Sequence, residues 1–185
     1  MRIIGGEARG RTLNFLSGSK ERPTSDFLRE ALFNILGSLQ GNSFLDLFAG
    51  SGSVGIEAAS RGAREVFFIE RNKKIASIVQ KNIDGCGFKE RCRLLNVDAG
   101  NGLHDLNKKK YKFDVIFADP PYDKGLAGET IKLLNEHPVF GAEVTVVIQH
   151  STREDFISQI GDRFVLKDQR KYGSNVLTFL KMEYS

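Results

Sequence analysis

From residue 43 onward, short runs of Phe, Val, Ile and Leu alternate with stretches whose apolar residues recur at helical spacing. Strands are expected at 44–48, 65–69, 93–97, 113–118 and 144–149, and in the tail at about 163–169 and 175–183. Helices are expected near 53–61, 72–84, 126–136 and 152–160. Apolar runs without strict alternation are typical of strands that are covered on both faces. The pattern therefore predicts an α/β fold with a mostly parallel seven-stranded sheet and helices on both faces.

A different pattern precedes the sheet. Residues 2–15 contain Gly5, Gly6 and Gly10 as flexible points, which favours a β-hairpin. From 24 to 36 the apolar positions recur at helical spacing, and Gly37 is a suitable end for that helix. We expect residues 1–39 to form an N-terminal hairpin and helix that pack on a body at 40–185 as one folded unit.

Length and composition exclude several classes of protein. The chain has 185 residues, of which 41% are hydrophobic and 27% charged, enough for one packed domain. It has neither a run of about 18 apolar residues nor the apolar core of a secretory signal, so we expect a soluble cytoplasmic protein without membrane contact. Cys86, Cys92 and the three histidines lack metal-ligand spacing, and we expect no metal.

Positive charge is concentrated in two short segments. Residues 1–22 hold five basic and two acidic residues, and residues 163–173 hold four basic and one acidic residue, whereas the whole chain has a net charge of only +4. This distribution is expected if a basic edge on a neutral body contacts a polyanion such as RNA. The candidate RNA contacts are Arg2, Arg9, Arg11, Arg22, Lys171 and Tyr172. The lysine run at 108–112 precedes a strand and is interpreted as a solvated loop.

Residues 44–55 read as a buried strand, a tight glycine turn and the start of a helix. The turn contains Gly50, Gly52 and Gly55, and glycines permit positive φ and close approach of a ligand. Glu70 follows the next strand, at a position where a carboxylate can bind ribose hydroxyls. The spacing predicts a nucleoside-cofactor site. It also matches the dinucleotide fingerprint, and a glycine turn that serves only helix packing is the alternative without function.

Two more carboxylates are expected at the same edge of the sheet. Asp46 lies within the apolar strand, where burial is costly unless a cationic ligand or turn N–H groups compensate it. Asp98 follows the third strand and is a natural partner for an adenine amine; the alternative is a helix N-cap or a solvated loop acid.

The fourth strand runs directly into Asp119-Pro120-Pro121-Tyr122. Consecutive prolines stiffen the backbone and so fix a carboxylate, a carbonyl and an aromatic ring, and we expect this motif to project from a strand end next to the glycine turn. The Asp119 carboxylate and the Pro120 carbonyl can accept both N–H groups of an exocyclic nucleobase amine, and Tyr122 can stack on the base. This set of groups suits methylation of that amine; the alternative is a rigid turn that covers the core.

These motifs resemble the class I S-adenosylmethionine-dependent methyltransferases, and within them the bacterial 16S rRNA guanine-N2 methyltransferase (RsmD) family. The resemblance covers nearly the whole chain and is carried by Arg2-Ile3-Ile4-Gly5-Gly6, Arg9-Gly10-Arg11, Arg22-Pro23-Thr24-Ser25-Asp26, residues 29–36, Asp46 to Gly52 and the Asp-Pro-Pro-Tyr motif. The N-terminal part is specific to the family, whereas many methyltransferases share the other two motifs.

The resemblance implies a Rossmann-like fold and methyl transfer to guanine N2 in small-subunit rRNA within an assembling subunit, by a monomer. It implies a cofactor site for S-adenosylmethionine, left as S-adenosylhomocysteine after transfer, formed by Asp46, Phe48, Gly50, Gly52, Glu70, Asp98 and Ala99. It assigns catalysis to Asp119, Pro120, Pro121 and Tyr122. Three alternatives remain: methylation of another base amine such as adenine N6, a nicotinamide-dependent oxidoreductase, and a non-catalytic RNA-binding protein.

Overall fold

The computed structural model describes residues 1–16, 25–122 and 125–183, which form two compact units, Met1–Ala99 and Gly100–Ser185. The first unit holds α1 (Asp26–Leu36), β1 (Ser43–Asp46), α2 (Ser53–Ser60), β2 (Glu65–Ile69), α3 (Lys73–Cys86) and β3 (Cys92–Leu95). Next come α4 (Ala99–Lys108), β4 (Phe113–Ala118), α5 (Leu126–Glu136) and β5 (Phe140–Ser151), then a 3₁₀ turn (Ile157–Gln159), β6 (Phe164–Tyr172) and β7 (Asn175–Met182).

Three parallel strands build the sheet of the first unit, in the order β3-β2-β1. Phe44 pairs with Val66, and Val66 pairs with Cys92. All four residues of β1 and the last four of β2 are buried, as the continuous apolar runs predict. β3 is more exposed because it lies at the edge of this sheet.

The second unit arranges its strands as β4-β5-β7-β6, with β4 and β5 parallel and β7 antiparallel to both of its neighbours. β6 and β7 are joined by a two-residue turn at Gly173, which has a φ of 62°. Together with five α-helices, the seven strands give the mostly parallel Rossmann-like sheet that the sequence predicts.

The N-terminal segment, residues 1–16, forms one antiparallel bridge, between Arg2 and Thr12, rather than two full strands. Its turn is closed by bonds from the Ile3 N–H to the Arg11 carbonyl and from the Gly10 N–H to the Ile3 carbonyl. The helix expected after it is confirmed over Asp26–Leu36. The predicted boundary between 39 and 40 stays a prediction.

A buried carboxylate anchors this N-terminal segment to α2. Glu57 is fully buried and accepts hydrogen bonds from the N–H groups of Ile4 (2.9 Å) and Gly5 (2.7 Å) and from the Arg61 guanidinium (2.8 Å). The Nε of Arg29, also fully buried, lies 3.6 Å from the same carboxylate. Two backbone donors and two cations therefore compensate the burial of one anion.

The structure corrects two sequence-based expectations for helices. The helix predicted at 152–160 is wrong: only Ile157–Gln159 forms a 3₁₀ turn. Polar side chains there bond nearby backbone groups instead, Ser151 accepting from Arg153 N–H and Asp155 from Ile157 N–H. Conversely, no helix is predicted between the third and fourth strands, yet α4 forms there and buries Leu103 and Leu106 although it contains two glycines.

Over the described ranges, the structure contains no helix with both the length and the apolar character that a membrane span requires.

The Glu57 cluster predicts a large loss of stability when the carboxylate is removed. Glu57→Ala removes one of the two carboxylates beside the buried Arg29, leaving only Asp26, and leaves the N–H groups of Ile4 and Gly5 without their acceptor, so the free energy of unfolding should fall by about 3–5 kcal/mol. Glu65→Ala, which removes a more exposed carboxylate, should change it by less than about 1 kcal/mol. Urea unfolding of both variants measures the difference, and equal losses would contradict the anchoring role of Glu57.

Candidate functional site

The predicted glycine turn follows β1 directly. Gly50 and Gly52 have φ values of 53° and 78°, which favour glycine, and Gly52 is the N-cap of α2. A Cβ on Gly55 would lie 2.3 Å from the ring of Phe68, so this third glycine serves helix–strand packing. A Cβ on Gly50 would have no heavy atom of the described chain within 4 Å, which leaves open space beside the turn.

Glu70 follows β2 and holds the turn in place. Its carboxylate accepts hydrogen bonds from the N–H groups of Gly50 (3.0 Å) and Asn72 (2.7 Å). The side chain of Asn96 donates to its backbone carbonyl at 2.7 Å. Because a carboxylate can accept about four hydrogen bonds, these contacts are compatible with further donors from a ligand.

Asp46 is the buried carboxylate of the site. Only 1% of the residue is exposed, and it accepts a hydrogen bond from Gly55 N–H at 3.0 Å. Burial raises its pKa from 3.8 to about 7, the Glu70 charge adds to the rise, and the Gly55 N–H opposes it. The Gly55 N–H lies in the first turn of α2, so a backbone donor just after the glycine turn supplies part of the compensation that the sequence requires.

The other predicted cofactor residues lie at strand ends of the same unit. Phe48 is half-buried in the turn after β1. Asp98 is exposed and immediately precedes α4, and Ala99 is the first residue of that helix. The position of Asp98 suits the helix-cap alternative and the adenine-binding interpretation alike, so its role stays a prediction.

The second unit holds Asp-Pro-Pro-Tyr immediately after β4. Pro120 is buried, and Asp119, Pro121 and Tyr122 are half-buried. All peptide bonds of the described chain are trans, including those of the two prolines. The motif thus follows a buried strand directly, as the sequence predicts, and its residues other than Pro120 are partly exposed to solvent.

Two residues that sequence reasoning did not assign hold the Tyr122 ring. The Tyr122 hydroxyl donates to Asn175 Oδ1 (2.9 Å) at the start of β7 and accepts from Gln149 Nε2 (2.7 Å) in β5. Burial, followed by the charge of Asp119, raises the pKa of Tyr122 above its usual range, which keeps the hydroxyl protonated as a donor. The polar Gln149 at the end of an apolar strand was the available sequence signal.

The predicted RNA contacts lie in both units. Arg2, Arg9 and Arg11 are exposed on the N-terminal segment, and the Arg11 guanidinium donates to the Gly85 carbonyl at 2.7 Å. In the other unit, Lys171 is exposed and Tyr172 half-buried at the tip of the β6–β7 hairpin, where Tyr172 pairs with Asn175. Arg22 lies outside the described residues.

The cysteines are buried free thiols, and burial raises the pKa of both. In the part of the chain that the structure describes, no three His, Cys, Asp or Glu side chains are grouped closely enough to hold a metal ion.

The sheet, the glycine turn after its first strand and the Asp-Pro-Pro-Tyr motif after its fourth define a Rossmann-like methyltransferase. The chain belongs to the family described as Conserved hypothetical protein 95, whose model matches residues 1–181.

Relatives in several bacteria support this class. The chain is 39% identical to the Ribosomal RNA small subunit methyltransferase D of Haemophilus influenzae, over 74% of this chain and 72% of the relative. It is 35% identical to the protein of the same name in Escherichia coli K12, over 80% of this chain and 74% of the relative. A solved structure, a hypothetical protein of Thermus thermophilus, has a TM-score of 0.83 at 31% identity, and the match covers 98% of this chain and 99% of the other.

The raised pKa of Asp46 predicts a pH-dependent stability. Between its unfolded pKa of 3.8 and its folded pKa of about 7, the folded state binds the extra proton. The contribution of Asp46 protonation to the free energy of unfolding is therefore fully present below pH 3.8 and is lost as the pH rises through about 7. Asp46→Asn, which keeps an oxygen for the Gly55 N–H but does not titrate, is the reference. Over that pH range the free energy of unfolding of the wild type should fall by at most about 4 kcal/mol relative to this variant. Thermal unfolding of both proteins from pH 4 to pH 8 measures this, and a constant difference would contradict it.

Proposed function

We propose that this protein transfers a methyl group from S-adenosylmethionine to the exocyclic N2 amine of a guanine in small-subunit rRNA. The observation that supports this most directly is the pair of motifs at strand ends. One is a glycine turn bonded to Glu70 and followed by a helix start bonded to Asp46, and the other is Asp-Pro-Pro-Tyr, held through the Tyr122 hydroxyl. The names of the relatives, small-subunit rRNA methyltransferases, support the substrate class.

The cofactor motif of the first unit fits S-adenosylmethionine. The open space beside Gly50 admits a ligand close to the backbone, and the buried Asp46 carboxylate is suited to the ammonium group of a methionine moiety. Glu70 would accept from the ribose hydroxyls, while Asp98 and Ala99 would contact the adenine. When bound, the cofactor supplies an activated methyl group on a sulfonium, so the protein needs no covalent intermediate.

The Asp-Pro-Pro-Tyr motif of the second unit supplies hydrogen-bond acceptors and a stacking surface. Asp119 and the Pro120 carbonyl would accept the two N–H groups of the guanine amine, which localises the nitrogen lone pair that the ring otherwise delocalises. Pro121 stiffens this segment, and Tyr122, fixed through Asn175 and Gln149, would stack on the base. Fixed alignment of this kind contributes at most about 7–11 kcal/mol to lowering a reaction barrier.

RNA binding is assigned to the exposed basic residues. Arg2, Arg9 and Arg11 lie on the N-terminal segment, and Lys171 lies at the β6–β7 hairpin tip beside Tyr172. Guanidinium and ammonium groups contact phosphates, and an aromatic ring stacks on an unpaired base. An oxidoreductase that binds a nicotinamide dinucleotide at the glycine turn would leave the Asp-Pro-Pro-Tyr motif without a role.

Asp119 is expected to act on the rate rather than on cofactor binding. Asp119→Ala should lower kcat at least about 100-fold, because it removes an acceptor of the target amine, while the Kd for S-adenosylhomocysteine stays within about threefold. Asp119→Asn keeps one acceptor oxygen and should retain intermediate activity, and Asp105→Ala, at an exposed site of α4, should behave as wild type. The assay uses small ribosomal subunits from cells that lack the gene, with calorimetry for binding. Equal losses in kcat and cofactor affinity would contradict the role of Asp119.

The basic N-terminal segment is expected to bind RNA electrostatically. The affinity of the wild type for small-subunit rRNA should fall steeply with salt, and Arg9→Glu with Arg11→Glu should reduce the slope by about one unit for each phosphate that the protein no longer neutralises. Lys108→Glu with Lys109→Glu makes the same change in net charge and should leave the slope unchanged. Filter binding at several salt concentrations measures the slopes; the same slope for all three proteins would remove this segment from the interface.

A further inference from the structure

Asn82, in α3, is a buried amide that the site described above does not use. Only 1% of the residue is exposed, and its side chain makes four hydrogen bonds. Its Oδ1 accepts from the backbone N–H of Asn14 (2.7 Å) and from Asn14 Nδ2 (3.0 Å). Its Nδ2 donates to the carbonyls of Asn14 (2.9 Å) and Ser51 (3.0 Å). Both donors and both lone pairs of this amide are thus satisfied.

The two partners of Asn82 belong to different functional parts of the first unit. Ser51 lies between Gly50 and Gly52, in the middle of the glycine turn, whereas Asn14 lies near the end of the N-terminal segment that presents Arg9 and Arg11. One side chain therefore joins the segment assigned to RNA binding to the turn assigned to cofactor binding.

The glycine turn needs such anchors, because two of its residues have positive φ and little steric restraint of their own. The Gly50 N–H donates to Glu70, and the Gly52 N–H donates to the Ala49 carbonyl. The intervening Ser51 carbonyl accepts from Asn82. Asn14 is exposed and Ser51 is half-buried, so without Asn82 their backbone groups would bond water instead, and the connection between segment and turn would be lost.

We infer that Asn82 is a positioning residue that couples docking of the N-terminal segment to the conformation of the cofactor turn. This rests on the proposed function, because it assigns the turn to S-adenosylmethionine and the segment to RNA. Coupling between two sites is reciprocal. A cofactor that stabilises the turn therefore also stabilises docking of the segment. The factor by which bound cofactor raises the affinity for RNA then equals the factor by which bound RNA raises the affinity for cofactor.

The experiment combines calorimetry of S-adenosylhomocysteine with hydrogen exchange at single amides. The variants are Asn82→Ala, Asn14→Ala, which removes only the side-chain contact, and Gln80→Ala, a control on the exposed side of α3. All are measured well below their Tm, with circular dichroism as the check that they are folded. A purely structural role would lower the Tm of Asn82→Ala without changing ligand affinity.

In the wild type, S-adenosylhomocysteine should slow exchange of the Asn14 N–H, which donates to Asn82, as well as that of Gly52 in the turn. Asn82→Ala should weaken the ligand about 10-fold and abolish the effect at Asn14, Asn14→Ala should weaken it about two- to threefold, and Gln80→Ala should match the wild type. Wild-type affinity in a folded Asn82→Ala would overturn the inference. So would unchanged exchange at Asn14 when the wild type is saturated, a result that does not depend on whether the variant folds.

Failure of the proposed function gives a different result. If the wild type does not bind S-adenosylhomocysteine, the cofactor assignment falls. The coupling is then judged without ligand: Asn14→Ala should speed exchange of the Gly52 N–H, and an unchanged rate there would overturn the link between segment and turn.

Discussion

The site depends on hydrogen bonding between two carboxylates and the backbone of a glycine turn and of the helix start that follows it. Glu70 accepts from the Gly50 N–H and Asp46 accepts from the Gly55 N–H, so the residues suited to bind a cofactor also shape the backbone that would surround it. Burying Asp46 raises its pKa and is unfavourable for folding near neutral pH. A cationic ligand group would relieve that cost, which connects the stability of the fold with the proposed chemistry.

Much of the fold follows from hydrophobic patterning. The bounds of β2, β4 and α5 agree with prediction because these segments are strongly apolar or strongly periodic, and the parallel sheet follows from their alternation. The helix expected at 152–160 failed because the side chains of Ser151 and Asp155 bond the local backbone. The helix α4 was not predicted; it contains two glycines, which are poor helix formers, and it buries Leu103 and Leu106 against the rest of the fold. Neither effect can be read from periodicity.

For the site, the sequence predicted the residues with a local signature: the glycine turn, and Asp-Pro-Pro-Tyr after a strand. It did not predict the residues that hold them, because Gln149, Asn175 and Asn82 are far in sequence from the groups they contact. The attachment of the N-terminal segment likewise could not be predicted from the sequence. Its arginines suggested a polyanion partner, but its attachment to α2 depends on a buried Glu57 that sequence alone left unassigned.

Mass-spectrometric mapping of small-subunit rRNA from cells with and without the gene tests the proposed methylation of a guanine amine. One N2-methylguanine should disappear when the gene is deleted and return when the wild-type gene is restored. An unchanged set of modifications, or the loss of a methyl group from an adenine instead, would contradict it.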